Sequence, residues 1–280
     1  MKLSYLFGSR LDHWLRLIAE NDFRLSPGRA PEVATITLMS AVNTWLSRKD
    51  EGVDLGQTRV EAPLFVLGHW RSGTTHLQYL LAQDERLASP NTYEVCFPSS
   101  LLCSEGTHGR LLSRFLPSTR LQDGMRFGMG VPNEDEIALA ALGLPSPYLY
   151  WAFPDREAFY TRYLTFDEAS PSERRRFAEG LDLYLRKLTW KHRRPLVIKS
   201  PTHTARVALL LRMYPDARFV HIHRDPYRVF QSTRHLHETW LEAFAFVQDV
   251  DRGDVDGRII DLYQRMYSAY FRDEPSIPRG

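Results

Sequence analysis

A short, continuously apolar run, Pro63-Leu-Phe-Val-Leu67, leads straight into Gly68-His-Trp-Arg-Ser-Gly73-Thr-Thr75 and then into a helical segment from His76 to Ala82. A run of this kind suits a strand buried on both faces, as in a parallel sheet covered by helices. Two further buried runs, Leu196-Val-Ile198 and Arg218-Phe-Val-His-Ile222, enclose a helical stretch at about Thr204–Met213, and Pro226 opens another helix. Strand–helix–strand alternation implies parallel pairing with right-handed crossovers. The fold class is therefore read as α/β: a three-layer core with a central parallel sheet flanked by helices, plus helical insertions. Ligands of such sheets sit beyond the carboxyl ends of the strands. Gly68–Thr75, Lys199–His203 and Arg224–Ser232 all fall there.

Outside this core the pattern is helical or irregular. Leu11, Trp14, Leu15 and Ile18 follow helical spacing, a second helix runs from Pro31 to Arg48, and Lys49 to Arg59 reads as a loop. The middle, roughly Asn91 to Tyr163, is rich in Pro, Gly and aromatics, with a helix start at Pro132-Asn-Glu-Asp-Glu136. There the acidic residues are read as first-turn capping. Ser170 and Glu173 have capping-box spacing around Pro171, ahead of an apolar face of Phe177, Leu181, Leu185 and Leu188. A last helix spans Arg258 to Phe271. Residues 1–280 are read as a single domain, with 1–60 as a helical N-terminal extension.

Composition narrows the function classes. A net charge of +2 over 280 residues gives no ground for a nucleic-acid binder, although a local basic pocket is compatible with it. Two cysteines, Cys96 and Cys103, are too few for a disulfide framework and point to a reducing compartment. There is no sustained signal-peptide core and no uninterrupted apolar stretch of membrane-spanning length. The expectation is a soluble, cytoplasmic protein without a transmembrane segment.

Gly68 to Gly73 has the G-x-x-x-x-G spacing of a P-loop, whose backbone N–H groups and following helix N-terminus cradle anionic oxygens. A nucleoside-triphosphate P-loop continues with Gly-Lys-[Ser/Thr], and here Thr74 takes the lysine position. The cation lies inside the loop, at Arg71, and Thr74 and Thr75 add hydroxyl donors. The core is thus P-loop-like, with an anion clamp that has no obvious need for Mg²⁺; the plainer alternative is a glycine turn beside a surface arginine. In Arg224-Asp-Pro-Tyr-Arg-Val-Phe-Gln-Ser232, an Arg at a strand end and a hydroxyl nearly two helical turns in can converge on one phosphate. Taken alone, a buried Arg–Asp pair would explain it equally. Lys199, in Lys199-Ser-Pro-Thr-His203, could neutralise charge on a transferring group, or could simply be a solvated loop lysine.

Pro63 through Leu77, with Arg71-Ser-Gly-Thr-Thr75 at its heart, resembles the 5′-phosphosulfate loop of the sulfotransferase superfamily. It is most similar to the Arg-Ser-Gly-Thr-Thr branch, which includes many bacterial enzymes and the tyrosylprotein sulfotransferases. The resemblance is well defined over about Pro63–Glu94 and Pro195–His235, the second stretch lying in a 3′-phosphate region read as 195–240. It implies in-line transfer of a sulfuryl group from 3′-phosphoadenosine 5′-phosphosulfate (PAPS) to a hydroxyl or amine acceptor, releasing PAP with no metal required. Arg71, Ser72, Gly73, Thr74 and Thr75 would hold the 5′-phosphosulfate, and Arg224 and Ser232 the 3′-phosphate.

The resemblance also bears on the catalytic base. Cytosolic sulfotransferases read Lys-Thr-His where this chain reads Lys199-Ser-Pro201, so that histidine is absent. Glu94 stands near the distance at which tyrosylprotein sulfotransferases carry a glutamate base, with its offset shifted by a few residues. The expected catalytic set is Glu94, Arg71 and Lys199, with His203 as second choice for the base. Family members usually continue past the 3′-phosphate helix into a basic, Gly-containing loop. This chain stops at Ile277-Pro-Arg-Gly280, so part of the C-terminal region is expected to be missing.

His221-x-His223 and His235-x-His237 lack accompanying ligands at metal spacing, and no metal site is assigned to them. The rival readings are a P-loop nucleotide kinase or NTPase, opposed by Thr74, and a non-catalytic nucleotide-binding relative. The acceptor class stays open among small molecules, lipids, glycans and peptides, as does the oligomeric state.

Overall fold

Strand β1 (Leu64–Leu67) is the middle strand of a three-stranded parallel sheet in the computed structural model, with β2 (Val197–Lys199) on one side and β3 (Arg218–His221) on the other. The structure describes residues 5–110, 119, 127–244, 247–248 and 253–278. Register aligns Phe65 with Ile198 and with Phe219, and Val66 with Lys199 and with Val220. Phe65, Val66 and Leu67 are fully buried, as a central parallel strand requires. Phe65 stacks on Phe219 at 5.7 Å and meets the His203 ring edge-on at 5.4 Å.

Helices supply most of the remaining mass. α1 (Leu11–Glu20) packs on α2 (Ala30–Glu51). The buried face of α1 is Trp14, Leu17 and Ile18, whereas Leu15, expected on that face, is half exposed. α3 (Thr74–Leu81) follows β1 and packs on β1 and β2. The irregular middle contains short helices, α4 (Thr92–Cys96), α5 (Asp135–Ala141) and α6 (Glu157–Thr161).

α7 (Pro171–His192) forms as its sequence indicates. Ser170 Oγ accepts from the Glu173 amide at 3.3 Å, and the Glu173 carboxylate accepts from the Ser170 amide at 2.8 Å. Phe177, Leu181, Leu185 and Leu188 are buried with Tyr184, each worth about 1.5–3 kcal/mol relative to exposure. A left-handed Arg193 (φ 52°) and then Pro195 end the helix and turn the chain into β2.

After β2 a 3₁₀ turn (Pro201–Ala205) precedes α8 (Val207–Met213), and β3 leads into α9 (Pro226–Phe244). α10 (Val255–Asp273) closes the core, packing on α9 and on the Pro201–Ala205 turn. Among the described residues no helix is long and apolar enough to cross a membrane.

Candidate active site at the ends of the central strands

The chain leaves β1 through Gly68 at φ 146°, where a Cβ would lie 2.5 Å from the Ile222 carbonyl oxygen. Glycine is required there by both torsion and space. Arg71 takes a left-handed φ of 68° and Gly73 one of 104°, which curls the loop back to start α3 at Thr74. Strain at a non-glycine residue persists only where its surroundings over-determine it. Here Arg71 Nε donates to Ser232 Oγ on α9 at 2.8 Å, and Arg224 Nη1 reaches the Arg71 carbonyl at 3.4 Å. Arg71, Arg224 and Ser232, the cation and the two phosphate candidates, are therefore brought together. The Ser72 hydroxyl is buried and donates to the His69 carbonyl at 2.6 Å, so it braces the loop from inside.

The lysine missing from the loop arrives from the neighbouring strand. Lys199, fully buried at the end of β2, places Nζ 3.2 Å from Thr75 Oγ1 and 2.6 Å from Glu134 Oε1. The other carboxylate oxygen of Glu134 accepts from the Tyr148 hydroxyl, which itself accepts from Trp70 Nε1 at 3.0 Å. Burial first, and then the charge of Glu134, push the Tyr148 phenol well above its usual range and keep it a donor.

The acidic cluster read as helix capping does no capping through its side chains; Glu134 at the N-cap of α5 makes no side-chain cap bond. Its carboxylates go three ways instead. Glu134 reaches Lys199, Asp135 accepts from buried His203 Nε2 at 2.7 Å, and Glu136 takes a two-pronged contact from buried Arg206 at 2.7 and 3.1 Å. Glu136 also accepts from Ser146 Oγ at 2.6 Å and Thr202 Oγ1 at 2.7 Å. Burial, the largest single influence, raises the Glu136 pKa, but the charge and hydrogen bonds of Arg206 together with His203 and Ser146 outweigh it and hold the carboxyl below its usual range. Thr204 Oγ1 accepts from the Gly68 amide at 2.7 Å. Lys199 through Arg206 thereby tie β2, α5 and the phosphate loop into one rigid frame.

A family model of the sulfotransferase family matches residues 63–280. The chain belongs to the sulfotransferase family.

Two relatives in Mycobacterium bovis and Mycobacterium tuberculosis, each an omega-hydroxy-beta-dihydromenaquinone-9 sulfotransferase Stf3, are 33% identical to it over 264 residues. The match spans 93% of this chain and 68% of each relative. Among solved structures, the sulfotransferase STF9 from Mycobacterium avium superposes with a TM-score of 0.68 at 18% identity, over 96% of this chain and 76% of the other. The sulfotransferase STF1 from Mycobacterium tuberculosis superposes with a TM-score of 0.63 at 16% identity, over 97% and 77%. The activity of this sulfotransferase is sulfuryl transfer, and its fold is the α/β arrangement that these neighbours share.

Within this sulfotransferase the two expected bases sit in committed positions. Glu94 is fully buried and completes the capping box of α4, its Oε2 accepting from the Asn91 amide at 2.8 Å. Its Oε1 lies 2.8 Å from both His192 Nε2 and Lys191 Nζ on α7. Burial raises the Glu94 pKa, yet His192 and Lys191 outweigh it and hold the carboxyl low. His203 is sealed against Asp135 and Phe65. Glu134, by contrast, keeps 16% of its side chain exposed and is bonded to the lysine that touches the loop. The sequence signal for it was present in Pro132-Asn-Glu134, but helix capping explained that signal equally well.

Proposed function

We propose that this sulfotransferase takes its sulfuryl group from PAPS and delivers it to the hydroxyl of an uncharged small molecule. The reading is carried by the Glu134–Lys199–Thr75 contact, which sets a carboxyl group and a buried lysine beside the phosphate loop. Arg71, Gly73, Thr74 and Thr75 would hold the 5′-phosphosulfate, and Arg224 and Ser232 the 3′-phosphate. The acceptor hydroxyl gives its proton to Glu134 as its oxygen attacks sulfur in line. The bond from sulfur to the bridging oxygen breaks, and PAP leaves with its new charge facing Lys199 and the loop donors. Glu134 is assigned as the base in preference to Glu94 and His203, because it combines exposure with contact to Lys199.

The Mycobacterium relatives are named for a hydroxylated menaquinone, which supports a small, lipid-like acceptor here. Cys96 and Cys103 are both free thiols, which supports a reducing, cytoplasmic setting.

Calorimetric titration with PAP, 5′-AMP and ATP–Mg²⁺ tests the donor assignment. PAP is expected to bind at least tenfold more tightly than 5′-AMP, and the Arg224→Ala variant to lose that preference. Equal binding of PAP and 5′-AMP, or turnover of ATP, would overturn it.

A further inference from the structure

A closed chain of side-chain hydrogen bonds leaves the phosphate loop at Trp70 and returns to it at Thr75. Trp70 Nε1 donates to the Tyr148 hydroxyl at 3.0 Å, and that hydroxyl donates to Glu134 Oε2. Lys199 Nζ then bridges Glu134 Oε1, at 2.6 Å, and Thr75 Oγ1, at 3.2 Å. Tyr148 belongs to a 3₁₀ turn (Pro147–Trp151), Glu134 is the N-cap of α5, and Lys199 ends β2. Four separate pieces of chain thus meet around one carboxyl group.

Within this chain Tyr148 is the rigid member. It is 1% exposed, and its ring lies against Trp151 with 4.1 Å between centroids. Its backbone is pinned on both sides, the amide donating to Ser146 Oγ at 3.1 Å and the carbonyl accepting from the Tyr5 hydroxyl at 2.8 Å. An indole N–H can only donate, so the Tyr148 oxygen receives it and aims its own single proton at Glu134. Burial first, and then Glu134, keep that proton in place. Tyr148 therefore cannot take a proton from an acceptor, and it presents almost no surface to one. What it can do is fix one oxygen of Glu134.

Lys199 shows why such a fixture matters. The proposed transfer asks Lys199 to face the departing phosphate while Glu134 receives the acceptor's proton. Lys199 is thus an anchor of Glu134 that the donor also claims, whereas the bond from Tyr148 is an anchor that the donor's charge does not contest. We propose that Tyr148, backed by Trp70, is the positioning residue of the transfer site and keeps Glu134 in place when Lys199 turns to the donor. The inference rests on the reading of Glu134 as the base and of Lys199 as the partner of the leaving phosphate. Its expected weight is large, because misplacing a reacting group by about 1 Å costs about 10²-fold in rate.

The test sets Tyr148→Phe, which keeps the ring and removes the hydroxyl, beside Glu134→Gln and the double variant, with 1-octanol as acceptor and labelled PAPS as donor. Calorimetry with PAP counts the folded sites in each protein, so that kcat refers to competent enzyme. Tyr148→Phe is expected to lower kcat by about 10- to 100-fold, with the octanol KM and the PAP affinity within about twofold of the parent. Added to Glu134→Gln it should cost no more than about a further twofold, since a base that is gone cannot be misplaced. A merely structural role would lower kcat by the same factor in both backgrounds. That result, or a Tyr148→Phe enzyme as fast as the parent, would overturn the proposal.

Should Glu134→Gln leave kcat unchanged, or octanol not be sulfated, the reading of Glu134 as the base fails by itself. The infrared spectrum of the PAP-bound protein then still decides the role of Tyr148. The carboxyl band of Glu134, recognised by its loss in Glu134→Gln, should be single and narrow in the parent and broaden or split in Tyr148→Phe. Equal band shapes in the two proteins would show that Tyr148 does not hold Glu134.

Discussion

Arg71 of the phosphate loop donates its Nε to Ser232 Oγ on α9 across 2.8 Å, so the two halves of the proposed nucleotide site are joined through protein atoms. Besides its proposed place at the 3′-phosphate, Ser232 therefore also holds the side chain of Arg71. The two 3′-phosphate candidates should behave differently. Arg224→Ala is expected to weaken PAP and leave 5′-AMP unchanged, whereas Ser232→Ala should weaken both by about three- to tenfold, the net worth of one ordinary hydrogen bond. Calorimetry with the two nucleotides on the two variants checks this, and a Ser232→Ala loss confined to PAP would show that the Arg71 contact is idle.

Glu134 and Glu94 separate chemistry from stability. Glu134→Gln keeps the size of the side chain and removes the proposed base, so kcat should fall by about 10²–10⁴ with PAP affinity little changed. Glu94→Gln should leave kcat within a few-fold and lower stability by about 2 kcal/mol, from a weakened cap and the loss of partly exposed Lys191 and His192 as charge partners. Steady-state rates beside thermal unfolding decide the matter, and the reverse pattern would restore Glu94 as the base.

Lys199→Met retains much of the buried volume and removes the charge that meets Thr75 and Glu134. Loss of a preorganised donor to a leaving group costs about 10²–10³ in kcat, and that is the expected drop. Single-turnover transfer from labelled PAPS isolates this step from product release.

The buried Glu136–Arg206 pair should dominate the acid limb of stability. Its carboxyl is held below the ordinary glutamate value, so it contributes stability above the unfolded pKa and loses it as pH falls through the lower, folded value. Denaturant midpoints should therefore decline on the acid side of about pH 4. Glu136→Gln leaves Arg206 buried without its counter-charge, which should cost about 3–5 kcal/mol at neutral pH and flatten the acid limb. A variant as stable as the parent would mean that the frame behind the loop does not depend on this pair.

The core elements were legible because their signals are local. The short apolar runs near 63–67, 196–198 and 218–222 suit buried strands, and they appear as β1, β2 and β3 within a residue or two. The Gly68-to-Gly73 spacing announced an anion loop because glycine torsions and helix amides act within a few residues. The choice of carboxylate was not local. Glu94 and Glu134 both sit at helix starts, and nothing in either segment says which one meets the lysine that touches the phosphate loop. Tertiary packing decided it: the Asn91 capping box turned Glu94 toward His192 and Lys191 of α7, while the side chain of Glu134, making no cap bond, extended to Lys199 at the end of β2. Hydrogen-bond partners separated by 65 or 98 residues are chosen by which surfaces the fold brings together, and no periodicity in the chain records that choice.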